Sequence, residues 1–212
     1  MHNSIPQSQI KSVSPQRGGQ AMNRPEPITP RSSNLGDQLR QLKNVFRVLA
    51  ETEHKLRWKA ILLRDEVSSV WKIQAAQGKW FPWPTTNASR GARGMKVVCW
   101  RERGMLDILG YYVGEMYPTP RGIRRCILEY VFECHLPPLR DRHYLLEWGE
   151  PQTAQRLNKL ANTLAALTRN AKRRDVISYA RAIDDWEGDL ALLYERYYVR
   201  FFHFGWPSTD LM

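Results

Sequence analysis

The chain has 212 residues, with 32 Lys and Arg against 21 Asp and Glu, a net charge of +11 and a pI near 9.8. Its 42% hydrophobic and 11% aromatic residues are enough for a buried core, which excludes a wholly disordered chain. The positive field suits polyanions without conferring sequence specificity, and the absence of roughly 18 uninterrupted apolar residues excludes a membrane-spanning helix, so no membrane partner is expected.

Residues 1–34 carry five prolines, six serines, four glutamines and the Gly18-Gly19 pair, and are predicted to be a disordered, mildly basic tail. Met1 to Gln20 lacks the apolar segment of a secretory signal. The three cysteines, Cys99, Cys126 and Cys134, form no compact framework, so a reducing, cytoplasmic setting is expected.

Leucines then recur every seventh residue at Leu35, Leu42, Leu49, Leu56 and Leu63, with Val70 continuing the row. The companion positions Leu39, Phe46, Glu53, Ala60, Val67 and Gln74 weaken in the middle. With no Pro or Gly between Asp37 and Gln77, residues 35–77 are predicted to be one amphipathic helix of roughly 40 residues, ~60 Å long. Such a seam either joins two chains, as a homodimer or with a protein partner through residues 35–74, or packs on its own chain. Val45, Ala50 and Trp71 occupy flanking positions where a parallel dimer prefers charges, which favours packing within the chain.

A Trp-Pro segment and basic loop occupy residues 78–103. Trp80-Phe81-Pro82-Trp83-Pro84-Thr85-Thr86 has a counterpart in Phe204-Gly205-Trp206-Pro207-Ser208-Thr209, so each string reads as a cap folded back on the helix before it. Between them lie Arg90, Arg93, Lys96, Arg101 and Arg103 against Glu102, with a short strand predicted at Met95–Trp100.

Residues 104–212 are predicted to be a compact helical domain. A short helix ends at Gly110, a second follows the Thr119-Pro120 start signal to about Phe132, and Asp141 caps a third that ends at Trp148-Gly149. Thr153 to Arg174 contains no acid and places Ala154, Leu157, Leu160, Ala161, Leu164, Leu167 and Ala171 at helical spacing. Asp175 is predicted to cap a last helix with the stripe Val176, Tyr179, Ala180, Ile183, Trp186, Leu190, Leu193 and Tyr197, closing an antiparallel hairpin. The expected fold is therefore all-α.

The strongest functional signal is cationic. Arg169, Lys172, Arg173 and Arg174 crowd a helix C-terminus, where the dipole accounts for one or two of them without any ligand. With Arg156 and Lys159 on the same helix, and Arg90, Arg93, Arg101 and Arg103 in the loop, they form a candidate surface for nucleic-acid phosphates. Tyr111, Tyr112 and Tyr117 are candidate stacking partners. Met105–Phe132 has the outline of a loose helix-loop-helix.

Two metal readings are weaker. Asp184, Asp185, Glu187 and Asp189 suit a helix dipole without a cation, and Cys126, Cys134, His135 and His143 lack zinc-ligand spacing. No metal site, cofactor or catalytic set is expected, since no nucleotide loop, nucleophile elbow or convergent acid, base and nucleophile is present.

The strings Arg124-Arg125-Cys126-Ile127-Leu128, Leu136-Pro137-Pro138, Glu147-Trp148-Gly149-Glu150-Pro151, Arg169 to Arg174 and Ala182-Ile183-Asp184-Asp185-Trp186-Glu187 are similar to short uncharacterised bacterial proteins. The resemblance spans residues 104–207 and implies a bacterial setting with no established activity. The two functions in competition are a non-catalytic, nucleic-acid-associated accessory protein and a protein–protein adaptor using the leucine heptads.

Overall fold

A computed structural model describes residues 35–52, 54–81 and 104–211, and the tail, the Met95–Trp100 strand and the arginines of the basic loop lie outside the described residues. The fold is all-α, and no strand is formed among the described residues.

The predicted long helix is two helices, α1 (Leu35–Glu51) and α2 (His54–Ala76). The break falls where the heptad seam is weakest. Both the amide and the hydroxyl of Thr52 donate to the Val48 carbonyl, the back-bonding by which threonine competes with helix continuation. The helices then fold against each other antiparallel, and the buried Trp71 indole N–H donates to the Gln38 side-chain oxygen. A straight ~60 Å rod would expose Leu42, Phe46, Leu49, Val67 and Trp71, whereas the hairpin buries all five.

Those side chains close over α4 (Arg121–Glu133), the centre of the core. Tyr130 of α4 is met edge-on by Phe46 at 5.4 Å and Trp71 at 6.0 Å between ring centroids. α1 passes beside Gly122, where a Cβ would stand in van der Waals contact at 3.4 Å from that of Ala50. α4 is also packed against α6 (Ala154–Arg174), in which Leu157, Leu160 and Leu164 are buried, and against α7 (Ala180–Leu193).

The remaining elements follow their local signals with two exceptions. The short α3 (Met105–Leu109) ends at Gly110, whose φ of +90° is the left-handed conformation glycine tolerates best. Asp141 caps α5 (Arg142–Trp148) by accepting from the Tyr144 amide at 3.0 Å. Thr119, by contrast, does not cap α4. Its hydroxyl donates to the Gly110 carbonyl at 2.7 Å and closes the preceding loop instead.

The last helix also starts later than predicted. Asp175 accepts from the Ile177 and Ser178 amides, forming a turn over residues 175–179, and α7 begins at Ala180 with Val176 and Tyr179 exposed. After α7 the chain passes through a π-helical turn, Tyr194–Tyr198, into α8 (Val199–Phe201). The wider turn sends Tyr197 inward to donate to Glu133 at 2.6 Å, and leaves Tyr194 and Tyr198 against Trp206. The Trp206 string thus folds back on its helix as expected. Phe81, from the related string, instead bridges Leu139 through backbone hydrogen bonds to Pro138 and Arg140.

Candidate nucleic-acid interface

The α6 cations fall into three environments. Arg156 is 3% exposed, and its guanidinium donates to the carbonyls of Val131 at 2.7 Å, Trp148 at 3.0 Å, Cys134 at 3.2 Å and Gly149. Burial lowers its pKa to about 10, which still leaves it protonated at neutral pH. Arg156 is therefore a structural clamp on the end of α4 and the α5–α6 turn, and it leaves the set of phosphate ligands predicted from sequence.

Three more cations hold internal partners. Lys159 pairs with Glu147 at 2.7 Å and Lys172 with Glu187 at 2.7 Å, while Arg169 donates to the Ser208 carbonyl. Glu187 also accepts from Thr209, so Arg169 and Lys172 together fasten the C-terminal segment to the hairpin. Hydrogen bonds from Lys172 and Thr209 outweigh burial and hold the Glu187 carboxyl below its usual range.

Arg173 and Arg174 differ from these four. Both are exposed at the tip of the hairpin and have no acid partner among the described residues. Arg181 is exposed on the first turn of α7, just beyond the connecting turn. The one acid in that turn, Asp175, is engaged by Ser178, whose side-chain and backbone hydrogen bonds hold its carboxyl below the usual range. The tip is thus a cationic end bordered by Val176 and Ile177, the latter 89% exposed.

Beside the hairpin lies a cleft of about 700 Å³ containing the aromatic side chains of Tyr111, Tyr112, Tyr117, Tyr144, Trp148 and Trp186. Lys159, Thr163 and Leu167 of α6 form one wall, at four-residue spacing along one helix face. The loop that carries the tyrosines is held to α7 at Gly114, where a Cβ would meet that of Ala182 at 3.7 Å. Tyr117 has φ +52°, an uncommon backbone state for a bulky residue, and its ring is 94% exposed.

The cleft floor is fixed by a buried polar cluster. The Tyr111 hydroxyl donates to Asp189 Oδ2 at 2.7 Å, and Arg124 donates to the same oxygen at 2.8 Å and to Asp185 at 2.7 Å. Burial first, then the Asp189 charge, pushes the Tyr111 phenol well above its ordinary pKa, so it remains a donor. Arg124 also reaches the Thr119 carbonyl at 3.1 Å and so joins α4, α7 and the tyrosine loop. Asp189, whose charge the sequence matches to the helix dipole, is completely buried in this cluster.

No family model matches this chain, and neither a curated protein nor a solved structure matches it. The functional reading therefore rests on the site itself.

The other sequence-derived sites are placed as follows. Leu35, Leu42 and Leu49 are buried inside the chain and Leu63 is half-buried against the core, whereas Leu56 is 51% exposed. The heptad seam thus forms an internal core, and it offers no continuous leucine row to a partner. The helix-loop-helix outline fails because α4 buries Arg124, Cys126, Ile127, Leu128, Tyr130, Val131 and Phe132 and cannot enter a DNA groove. Among the described residues no three His, Cys, Asp or Glu side chains converge as metal ligands. Burial pushes the Cys126 thiol up to about 11 and that of Cys134 to about 12. His135 and His143 line a second cleft of about 740 Å³, over which Arg142 covers the Trp80 ring at 4.6 Å. No described helix is long and apolar enough to cross a membrane.

Sequence reasoning missed the Arg124–Asp189–Tyr111 cluster and the cleft it supports. One signal was available, since an Asp four positions before Leu193 and one before Leu190 falls close to the buried stripe of α7.

Proposed function

We propose that the chain is a non-catalytic, nucleic-acid-associated accessory protein that contacts phosphates through the basic tip of the α6–α7 hairpin. The observation that carries this reading is the pair Arg173 and Arg174, exposed and without acid partners while the neighbouring α6 cations are engaged internally. Planar guanidinium groups suit phosphate oxygens, and the net charge of +11 adds long-range attraction. A titration with labelled DNA and RNA at two salt concentrations tests it. Affinity falls steeply as salt rises, and falls again in Arg173→Ala/Arg174→Ala.

A second reading, a protein–protein adaptor, draws support from α2. Trp58, Leu62 and Ile73 are exposed, and the last two lie eleven residues apart, three helical turns, on one face. This face lies beside the heptad row, so the adaptor surface moves from the leucines to these residues. Sedimentation of Trp58→Glu checks it, with a lower mass than the wild type supporting the adaptor and equal masses opposing a self-associating form.

A further inference from the structure

We propose that the aromatic cleft beside the hairpin accepts unpaired bases, which makes single-stranded nucleic acid the ligand class of the basic tip. The inference rests on the phosphate-binding reading of Arg173 and Arg174.

Three observations converge on it. The cleft gathers six aromatic side chains, and Tyr117 and Trp186 among them make neither a ring contact nor a side-chain hydrogen bond among the described residues. Elsewhere aromatic rings pack on one another, as Phe132 does on Tyr197 and Tyr198 on Trp206. A 94% exposed tyrosine at the rim offers the kind of π-face that holds a base without reading its sequence. A duplex cannot use it, because each base face there is already covered by its neighbours.

The cleft wall and the cationic tip also share one helix. Lys159, Thr163 and Leu167 wall it along one face of α6, and Arg174, seven residues beyond Leu167, lies on that same face about 10 Å further along. A strand with bases in the cleft therefore carries its phosphates toward Arg174 and Arg173. Finally, Trp148 lines the cleft while only 1% exposed, and its indole N–H has no acceptor among the described residues. Buried donors are nearly always satisfied, so this N–H beside the cleft marks a polar group in need of an acceptor.

The test uses the full chain with labelled single-stranded DNA and RNA 12-mers, duplexes of the same sequence, and neutral and phosphatidylserine vesicles at low salt. Single strands bind at least about tenfold more tightly than duplexes. Tyr117→Ala weakens single-strand binding by about fivefold or more and leaves duplex binding unchanged, and Tyr117→Trp restores it. Since Tyr117 is exposed, an unchanged unfolding midpoint separates the loss from misfolding. Equal affinity for both forms, indifferent to Tyr117→Ala but weakened by Arg173→Ala/Arg174→Ala, overturns the base-binding inference and leaves phosphate binding standing. Absence of salt-dependent binding to any nucleic acid overturns both, and capture by the anionic vesicles alone assigns the tip and Ile177 to a lipid surface instead.

Discussion

The two ends of α6 place the same side chain in opposite environments. At the N-terminal end Arg156 is buried, and four carbonyls occupy its donors. At the C-terminal end Arg173 and Arg174 extend into solvent with no acid partner among the described residues. What separates them is surroundings. Around Arg156 the ends of α4 and α5 converge and leave carbonyls that helix termini cannot satisfy, and a guanidinium with five donors supplies them. At the hairpin tip no described residue packs over Arg173 and Arg174, so charge is retained there at little cost. A count of basic residues does not distinguish a buried clamp from an unengaged surface cation, whereas burial and donor occupancy do.

The contrast is most exposed to Arg156→Ala. That change orphans the carbonyls of Val131, Cys134, Trp148 and Gly149 and is expected to destabilise the fold by about 3–5 kcal/mol in chemical denaturation. Arg173→Ala/Arg174→Ala is expected to stay within about 0.5 kcal/mol of wild type by the same measurement. Comparable losses for both variants would erase the distinction.

Asp189→Asn comes next. It weakens the partner of Arg124 and Tyr111 in a buried setting and is expected to cost about 2–3 kcal/mol. Because the cluster holds the tyrosine loop, the variant should also loosen Tyr111 and Tyr112, visible as faster amide exchange there than in α1. A smaller effect of opposite sign is expected of Tyr117→Gly, which relieves the left-handed backbone state and raises stability by about 0.5–1 kcal/mol while removing the exposed ring. A loss of stability would mean that the ring packs in solution.

The smallest expected effect concerns pH. Burial lowers the His135 pKa from 6.5, so below that value the unfolded chain binds the proton first. Stability therefore falls as pH drops below about 6.5, until the folded-state pKa is passed. His135→Gln should flatten this part of the stability profile. An unchanged slope would show that other groups set it.

Much of the fold was legible because helices announce themselves through periodicity and caps. Of the α6 stripe, Leu157, Leu160, Ala161, Leu164 and Ala171 are buried whereas Ala154 and Leu167 are exposed, and Asp141 and Gly149 bound α5 where their chemistry places them. The break in the first helix was not legible. The pattern marked Glu53 as the weak point of the seam, but a weak heptad position fits a continuous helix and a hairpin equally well, and only the long-range packing of Phe46 and Trp71 on Tyr130 decides. Thr119 was misread for a related reason, since the same hydroxyl serves a cap or a loop and tertiary context selects.

The candidate site was legible at the tip alone. Arg173 and Arg174 stood in a run of four cations, of which the structure engages Arg169 and Lys172 elsewhere. The cleft was hidden because its walls come from α3, the tyrosine loop, α5, α6 and α7, whose convergence no local pattern encodes. Tyr111, Tyr112 and Tyr117 stand out in the sequence as candidate stacking partners, and only the fold sets them beside Trp148 and Trp186.

The most direct test of the central claim is the salt dependence of single-strand binding by wild type and Arg173→Ala/Arg174→Ala. On a logarithmic plot the variant's slope is expected to be shallower by about 1.4, near 0.7 for each phosphate contact removed. An unchanged slope, or no salt-dependent binding by the wild type, would contradict the assignment of the hairpin tip to phosphate.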